Sequence, residues 1–525
     1  MQAPKTARPH GGVRGANLSR SSLLFDGPFG RIFRALPPAD FGADDQTTLK
    51  NLEALAKAMT SDADPNDPKD GPDSEESGIP AAYTYFGQFI DHDLTFDPAS
   101  SLQKQNDPDA LVDYRTPQFD LDNVYGRGPD DQPYLYMDDG RTFVLGTALT
   151  GAPEVNKGAK DLQRNTQTPA RALIGDPRND ENVIVSQLQG LWHRFHNKLA
   201  ADNPSWPFPR VQQQVRFHYQ WILLHDFLPT VIAKEVLEEV LPLDKSKKPI
   251  VDKAKLKFFH YKDAAFMPLE FSAAAYRFGH SMVRPGYRLN TGVKPIPIFK
   301  LGKDALDLRG FKAPQPNWAL DWRRFIDLVP LDYGTLVDNP DQNDPKNQNR
   351  LQLAYKIDTS LVNPLGVLPA SIAVDPSILA QRNLERGWRM RLPNGQDVAR
   401  AMGLVPLTDD NIKIGKFTGD KNDIVTTIDK VGDGASFVGN CPLWTYVLAE
   451  TVESTVTVKT LEGDKPIKTR KLGPVGGQIV AETFVGLLLA DSSSYVSLDP
   501  LWEPTTLKVK GAFGLRELIK HALEE

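Results

Sequence analysis

Residues 83–98, YTYFGQFIDHDLTFDP, join an apolar helical face to three consecutive ionisable side chains, Asp91, His92 and Asp93. Burying such groups is costly unless each has a partner or a metal ion. An imidazole in this setting can accept and return a proton, which is general acid–base chemistry. For an isolated Asp-His-Asp, the plainer interpretation is a core histidine between two hydrated carboxylates. The other motifs of the chain favour the chemical interpretation.

Further ionisable residues lie on or next to apolar segments. Arg178 and Glu181 occur in GDPRNDEN (175–182), directly before an amphipathic stretch. His280 lies among aromatic and aliphatic side chains in YRFGHSMV (276–283). Two such histidines, with an arginine and carboxylates, are more than packing requires. We therefore interpret them as parts of one site.

The segment TPQFDLDN (116–123) places oxygen ligands at alternate positions, as a calcium-binding loop does. Calcium takes about 6–8 oxygens from carboxylates and carbonyls, and alternation in a tight loop turns successive oxygens inward. A hydrated acidic loop is the commoner cause of such a pattern. The predicted calcium ligands are Thr116, the backbone carbonyl of Gln118, Asp120 and Asp122, with Asp93 closing the shell from the other side.

Apolar residues at helical spacing predict the elements that must position these side chains. The clearest patterns cover 47–60, 83–98 and 181–201. The next prediction is a long helix over 211–241, interrupted near Pro229. It is followed by a third helix over 268–283, which carries His280. Later helices are predicted at 318–328, 376–387, 395–403, 442–453, 477–490 and 513–524.

The remaining segments predict loops and one hairpin. An acidic surface loop is expected at 61–78 and a loop-rich stretch at 101–180. The hairpin lies at 454–472, with its turn at Glu462-Gly463-Asp464. The predicted fold class is mainly α, with long loops and little β structure. An extended arm over 1–30 precedes a single large domain over 31–525.

Composition excludes several classes of protein. With a net charge of −6, the 525-residue chain has no basic field, so we expect no nucleic-acid partner. The single cysteine, Cys441, excludes an intrachain disulfide and a cysteine-based metal cluster. Residues 1–30 contain no apolar leader and no run is long enough to span a bilayer, so we expect no integral membrane protein. A cytoplasmic location is expected by default, with signal-independent secretion as the alternative, and the oligomeric state stays open.

Four motifs resemble those of the animal-type haem peroxidases, within the peroxidase–cyclooxygenase superfamily. The similarity is close over about residues 80–300 and looser to about 490, like a short bacterial form. It implies the helical fold of that family, a bound haem b and a peroxidase catalytic domain over 31–525. The motifs are GQFIDHD (87–93), DPRNDE (176–181), LWHRFHNKLA (191–200) and YRFGHSMV (276–283), in the family's order and at similar spacing.

On one face of the haem, the resemblance makes His92 the distal histidine and Gln88 its companion. Arg178 falls at the distal arginine. Cleaving peroxide requires a proton to move from one oxygen to the other, and a neutral imidazole can perform that transfer. A permanently charged guanidinium stabilises the negative charge on the departing oxygen.

On the other face, His280 falls at the proximal ligand of the haem iron. In QRNLERGWRMRLPNG (381–395), Asn383 matches the asparagine that accepts the hydrogen bond of that histidine, and Arg386 matches an arginine near a haem propionate. A neutral acceptor leaves the imidazole less anionic than a carboxylate would.

The resemblance also assigns the acidic residues. Asp91 and Glu181 fall where the family attaches its haem through ester bonds, whereas Asn182 replaces a methionine that forms a third link in some members. The calcium site of the family falls on the predicted ligands, namely Asp93, Thr116, Gln118, Asp120 and Asp122.

The resemblance predicts a haem peroxidase that uses hydrogen peroxide to oxidise a small donor such as halide, thiocyanate or a phenol. A fatty-acid dioxygenase is the alternative, although Arg277 stands where such enzymes carry a tyrosine. A calcium- and haem-stabilised adhesion or scaffold protein with vestigial activity is a further alternative. A non-haem metal hydrolase lacks a compact ligand motif, and we interpret four other histidines as structural, namely His193, His196, His218 and His225.

Overall fold

The computed structural model describes residues 29–524 except 62–67, 96–114, 246–247, 262–264, 303–305, 336–340, 342, 374, 417–422, 424 and 505–512. Most of the predicted arm therefore lies outside the described residues. The helices are α1 (Asp45–Ala58), α2 (Ala82–Leu94), α3 (Asp122–Tyr125), α4 (Val183–Asp202), α5 (Phe208–Ile222), α6 (Leu228–Val231), α7 (Lys234–Val240), α8 (Leu269–Ser272), α9 (Pro345–Gln348), α10 (Leu379–Arg389), α11 (Gly395–Ala401), α12 (Leu443–Ala449), α13 (Pro474–Ala490), α14 (Tyr495–Leu498) and α15 (Leu515–Leu523). The strands are β1 (Phe29–Gly30), β2 (Glu76–Pro80), β3 (Met267–Pro268), β4 (Gly286–Tyr287), β5 (Ile296–Pro297), β6 (Leu353–Tyr355), β7 (Lys413–Gly415), β8 (Val425–Thr427), β9 (Val452–Thr460) and β10 (Gly463–Lys471).

Helix α13 lies at the centre of the molecule. It is buried round its whole circumference, since every residue over 475–488 is buried, and its polar Gln478 and Glu482 pair with each other. A helix without an exposed face belongs in the interior of a large helical protein. Its Phe484 ring packs on Phe227 and Tyr276, with ring centroids 5.9 and 5.5 Å apart. The predicted mainly α fold is confirmed.

Helix α2 is held against α4 by stacked aromatic rings. Phe89 and Trp192 are fully buried, and their rings lie 5.5 Å apart and almost parallel. Phe89 precedes His92 by three residues, so both side chains lie on neighbouring positions of one helical face. This packing therefore fixes the rotation of α2 and the direction of His92.

Most of the predicted helices are confirmed, within a few residues at their ends. They are those at 47–60, 83–98, 181–201, 376–387, 395–403, 442–453, 477–490 and 513–524. The long segment 211–241 also forms helices, with a π-helical turn over Leu223–Phe227 and a break at Ile232–Ala233, three residues after Pro229. The described part of 101–180 is loop-rich, as predicted.

Two helix predictions are wrong. The segment 268–283 contains α8 and then, after a break at Ala274, a 3-10 turn over Ala275–His280. The segment 318–328 contains only a 3-10 turn over Trp322–Arg324, which the Asp321 side chain caps by accepting from the backbone amide of Arg323.

Each sheet in the described part of the chain has two strands. β1 and β3 are parallel, and the antiparallel pairs are β2 with β6, β4 with β5, β7 with β8 and β9 with β10. The hairpin predicted at 454–472 is confirmed as β9 and β10. Its turn is one residue earlier than expected, because Gly463 already pairs with Thr460 and Asp464 with Lys459.

The prediction of a surface loop over 61–78 is wrong for its second half, which is buried and includes the start of β2. Asp70 is 8% exposed and Glu76 is 3% exposed. Two arginines, Arg284 and Arg350, donate to the Glu76 carboxylate. These cationic partners lie more than 200 residues away in sequence, so local composition gave no sign of them.

No helix in the described residues has the length and apolar character needed to cross a lipid bilayer.

Candidate active site

His92 lies in the last turn of α2 and is 4% exposed. Its Nδ1 lies 2.7 Å from the Asn179 amide oxygen, which can only accept a hydrogen bond. Nδ1 therefore carries a proton and is the donor of this contact. The Asn179 amide nitrogen donates to Gln189 at 2.8 Å, and the Gln189 amide nitrogen lies 3.0 Å from His193 Nε2. This buried chain fixes the tautomer of His92.

Glu181 faces the other side of the His92 ring. Its carboxylate lies 3.6 Å from Nε2 and accepts a hydrogen bond from the Gln88 side chain. Burial raises the pKa of Glu181, while His92 and Arg178 act in the opposite direction. Asn182 donates to Gln88 at 3.1 Å, and its own amide oxygen caps the first turn of α4. The position that carries a methionine in some members of the resembling family is thus a helix cap here.

Arg178 lies in a 3-10 turn over Pro177–Asp180. Its Nη2 donates to the carbonyl oxygens of His92 and Thr95, at 3.0 and 2.6 Å, and to Asp176 at 2.7 Å. Asp176 is fully buried. Burial opposes ionisation, but the guanidinium groups of Arg178 and Arg115 outweigh it and hold the pKa of Asp176 well below its usual range. Arg178 is therefore anchored to the end of the helix that carries His92.

His280 ends the 3-10 turn over Ala275–His280. Burial and then the charge of Arg277 lower its pKa to about 3, so the imidazole is neutral and can bind a metal. Asn383 lies 2.7 Å from His280 Nδ1. The direction of this contact differs from the sequence-based expectation. Arg277, a donor only, donates to the Asn383 amide oxygen at 2.8 Å. The amide nitrogen therefore donates to His280 Nδ1, and the proton of the neutral ring lies on Nε2.

Tyr276 joins this turn to α2, because its hydroxyl donates to the carbonyl of Gly87 at 3.2 Å. Asp91, on the same helix, adds to the effect of burial in raising the pKa of Tyr276 and lies close enough to influence Arg277. The two histidine-bearing segments are thus in direct contact, with Asp91 between them.

Three arginines gather beside His280. Burial, with the charges of Arg386 and Arg382, lowers the pKa of Arg277 to about 10. Like charges so close together at a buried site fit an anionic ligand. The carboxylates of a haem would match this cluster.

Three of the predicted calcium residues form a pocket of carboxylates, of which Asp93 and Asp120 are buried and Asp122 is partly exposed. Asp93, Asp120 and Asp122 each place one oxygen within 4.8 Å of those of the others. Neither oxygen of Asp93 has a hydrogen bond of normal geometry. The Leu121 backbone amide nevertheless acts to lower the pKa of Asp93, and Asp93 acts to raise the pKa of the Tyr219 hydroxyl, so both groups lie close to this carboxylate. Burial, and then Asp120 and Asp122, raise the pKa of Asp93 well above its usual range. An unpaired buried carboxylate beside two others fits a divalent cation.

The loop that supplies this pocket is strained where it turns. Leu121 has φ 59° and ψ 32°, in the left-handed region that a leucine seldom adopts. It separates Asp120 from Asp122, and the Thr116 hydroxyl donates to Asp120 at 2.8 Å. Gln118 lies in the same loop, where its amide donates to the Thr116 carbonyl at 2.7 Å. Such strain persists where the surroundings, or a ligand, impose it.

The structure thus places the predicted residues in three adjoining groups: Gln88, Asp91, His92, Arg178 and Glu181 at the end of α2, His280, Asn383 and Arg386 on the second segment, and Asp93, Thr116, Gln118, Asp120 and Asp122 in the acidic pocket.

Sequence reasoning missed Asn179, Gln189, Asp176 and Arg115. Asn179 and Asp176 stand within the quoted motif GDPRNDEN, and their position beside Arg178 was the available signal. Gln189 and Arg115 gave none, because their partners are distant in sequence.

The other histidines of the long helices have partners within the core. His196 contacts Tyr125 and the Arg141 carbonyl, and His218 contacts the Gln214 carbonyl. His225 stacks on Trp221, with ring centroids 3.6 Å apart. Burial lowers the pKa of each of the four to about 3 or 4. His193 alone among the four connects to His92, through Gln189 and Asn179.

A family model described as "Animal haem peroxidase" matches residues 100–307. The match contains Arg178, Glu181, His280 and the loop of the acidic pocket, and begins after His92. Thyroid peroxidase of Rattus norvegicus is 30% identical over 166 residues, which are 30% of this chain and 16% of that protein. The chain spans between 8% and 37% of the curated relatives it matches.

Solved structures match over nearly the whole chain. Peroxidase A from Dictyostelium discoideum has a TM-score of 0.55 at 16% identity, covering 91% of this chain and 89% of that one. The fatty acid alpha-dioxygenase of Oryza sativa has a TM-score of 0.53 at 13% identity, covering 95% of this chain and 79% of that one. At these identities the likeness establishes the fold.

Proposed function

We propose, from the match of residues 100–307 to the animal haem peroxidase model and from the fold shared with Peroxidase A, that the chain oxidises small donors with hydrogen peroxide at a histidine-ligated haem. The observation that carries the proposal is a shared arrangement of the two histidines. Each is held through Nδ1 by an asparagine, Asn179 for His92 and Asn383 for His280. Nε2 is therefore the nitrogen of each ring left for chemistry. On His280 its lone pair is free for a metal only when Nδ1 carries the proton, which requires the Asn383 amide to turn its oxygen toward the ring.

The residues present fit a haem. His280 would ligate the iron through Nε2, and the cluster of Arg277, Arg382 and Arg386 would face the propionates. When bound, haem supplies the redox centre that peroxide oxidises and the donor reduces. Asp91 and Glu181 are the residues proposed to form ester links, since each lies beside one of the two histidine-bearing segments.

His92 performs the proton transfer. With Nδ1 protonated and held by Asn179, Nε2 takes the proton of one peroxide oxygen and delivers it to the other, which leaves as water. Arg178 stabilises the negative charge on the departing oxygen. Glu181 and Gln88 orient the His92 ring from its other side.

Calcium is proposed in the pocket of Asp93, Asp120 and Asp122, with Thr116 and the Gln118 carbonyl completing its shell. Because Asp93 follows His92 directly on α2, an ion there would fix the backbone that directs the catalytic imidazole.

The alternatives gain less support. A fatty-acid dioxygenase needs a tyrosine at the position of Arg277. Arg277 instead donates to Asn383, and the hydroxyl of the neighbouring Tyr276 donates to the Gly87 carbonyl. A scaffold protein with vestigial activity would not require His92, Arg178 and His280 to be arranged together. Halide, thiocyanate and phenols stay the proposed donors, and 31–525 stays the proposed catalytic domain. A cytoplasmic location stays a prediction to which the animal relatives add no support.

The test is an absorption spectrum of the haem-supplemented protein before and after one equivalent of hydrogen peroxide. We expect a Soret band that peroxide shifts and that a halide or phenol restores. The substitution His280→Ala should remove the haem or its high-spin spectrum. Acidified organic solvent should release haem from D91V/E181V but not from the unmodified protein after turnover. No Soret band in the unmodified protein, or full activity in His280→Ala, would contradict the proposal.

A further inference from the structure

Arg115 joins the acidic pocket to the turn that carries Arg178. It precedes the calcium-like loop by one residue, and its side chain is 3% exposed. Nη1 donates to the Asp122 carboxylate, and Nη2 donates to Asp176 at 2.6 Å. One planar guanidinium therefore bridges two acidic groups that serve different parts of the site.

Asp176 is the intermediate in this connection. The same carboxylate oxygen, Oδ2, accepts from Arg115 at 2.6 Å and from Arg178 at 2.7 Å. Because both guanidinium groups share one fully buried acceptor, a shift of one changes the geometry available to the other.

The backbone reinforces the connection. The Asp176 amide donates to the carbonyl of Asn123, the residue after Asp122, at 3.0 Å. A Cβ added to Gly175 would lie 2.4 Å from the Asp122 carbonyl oxygen, so the two segments pack without space between them. A movement of the acidic loop is therefore passed to the Arg178 turn.

We propose that Arg115 is a positioning residue that couples cation binding in the acidic pocket to the placement of Arg178. A cation among Asp93, Asp120 and Asp122 changes the charge that faces Arg115, and Arg115 passes the change to Asp176. The inference rests on the proposed function, which gives Arg178 its role beside the bound peroxide. Such coupling is reciprocal, so a ligand that contacts Arg178 must alter cation affinity by the same factor.

The experiment measures this reciprocity on the haem-loaded full chain in its ferric state. Cyanide, an anion that binds ferric haem, is titrated with calcium present and after chelation, and calcium is titrated with and without cyanide. In the unmodified protein we expect each ligand to tighten the other by about fivefold or more, within the usual range of such couplings.

The substitution R115K retains the charge but cannot bridge two carboxylates. We expect it to reduce the coupling factor to near one, with haem content and the ferric spectrum unchanged. R288K is the matched control, because Arg288 is also buried and donates through two nitrogens to one buried carboxylate, Asp70, while neither residue belongs to the Arg178 turn or to the acidic loop. It should retain the coupling of the unmodified protein.

Full coupling in R115K, or equal loss in R288K, would overturn the inference. If R115K does not fold, the test compares the unmodified protein with R178K. The inference requires coupling between calcium and cyanide in the unmodified protein and none in R178K, and any other result overturns it. A chain that binds no haem would contradict the proposed function, whereas a haem protein without coupling would contradict this inference alone.

Discussion

The Asp93 carboxylate is the group in the site through which a bound ion would most directly stabilise the folded protein. It is fully buried beside Asp120 and Asp122, with no hydrogen bond of normal geometry. Charge repulsion in a low-dielectric pocket destabilises the folded protein unless a cation offsets it. The proposed calcium ion would therefore contribute to folding as well as to catalysis.

Removing calcium with a chelator should lower the melting temperature of the unmodified protein. A ligand at about 100 times its dissociation constant contributes about 2.7 kcal/mol of stability. Asp93→Asn should abolish the effect of the chelator on the melting temperature. Without calcium, this variant should melt no lower than the unmodified protein, because the substitution removes the charge repulsion between Asp93 and its two neighbouring carboxylates. Thermal unfolding with calcium or a chelator measures both effects. Asp91→Asn, on the same helix but outside the pocket, should retain the response, and a chelator-insensitive unmodified protein would refute the site.

The motifs predicted most of the site at the residue scale. Charged residues on apolar segments led to His92, Arg178 and His280, and the alternating oxygens led to the acidic pocket. The direction of the Asn383 contact could not be predicted, because Arg277 determines it through a hydrogen bond between distant segments. Partners of this kind are set by packing and leave no periodic pattern.

At the scale of elements, one carboxylate joins two helices. Glu450, which follows α12, accepts from the amides of Val475 and Gly476 in the first turn of α13, at 2.8 and 2.7 Å. Burial raises its pKa to about 8, although these two amides act in the opposite direction. The start of the central helix is thus capped by a group that titrates near neutral pH.

The sign of the pH dependence follows from this shift. A carboxyl whose pKa is 4.5 when unfolded and about 8 when folded contributes its full stability below pH 4.5 and loses it as the pH rises through about 8. The free energy of unfolding, measured against pH, should therefore fall more steeply over this interval in the unmodified protein than in Glu450→Gln. Glu453→Gln, at a fully exposed carboxylate, serves as the control. Parallel curves for Glu450→Gln and the unmodified protein would refute the assignment.

Helical periodicity succeeded where a helix buries one continuous stripe, as in α1 and α10. It failed at 268–283, because residues of α8 and of the following 3-10 turn are apolar at spacings that fit one helix. The break at Ala274 turns His280 toward Asn383, so the site depends on the departure from periodicity.

At the scale of the whole molecule, Glu76 connects segments that are remote in sequence. Its carboxylate accepts from Arg284 and, through both oxygens at 2.6 Å, from Arg350. All three side chains are at most 6% exposed. Removing one partner of a buried ionic group lowers the free energy of unfolding by more than the intact group contributes to it, because the remaining charges are left unpaired.

Glu76→Gln, which preserves shape and removes charge, should lower the free energy of unfolding by roughly 3–5 kcal/mol. Denaturant titration measures the change. Glu53→Gln is the control, since its pair with Lys57 is exposed and should contribute less than about 0.5 kcal/mol. Equal effects of the two substitutions would show that the buried cluster does not stabilise the fold.

The same cluster has a consequence for the order of synthesis. Arg350 follows Glu76 by 274 residues, and a ribosome adding about 5–20 residues per second needs roughly 15–55 seconds to cover that distance. Throughout this interval the Glu76 carboxylate lacks at least one of its two cationic partners, because Arg284 is added after 208 residues and Arg350 after 274. We therefore expect the nascent segment to behave as the hydrated acidic loop that its composition describes until both arginines are available.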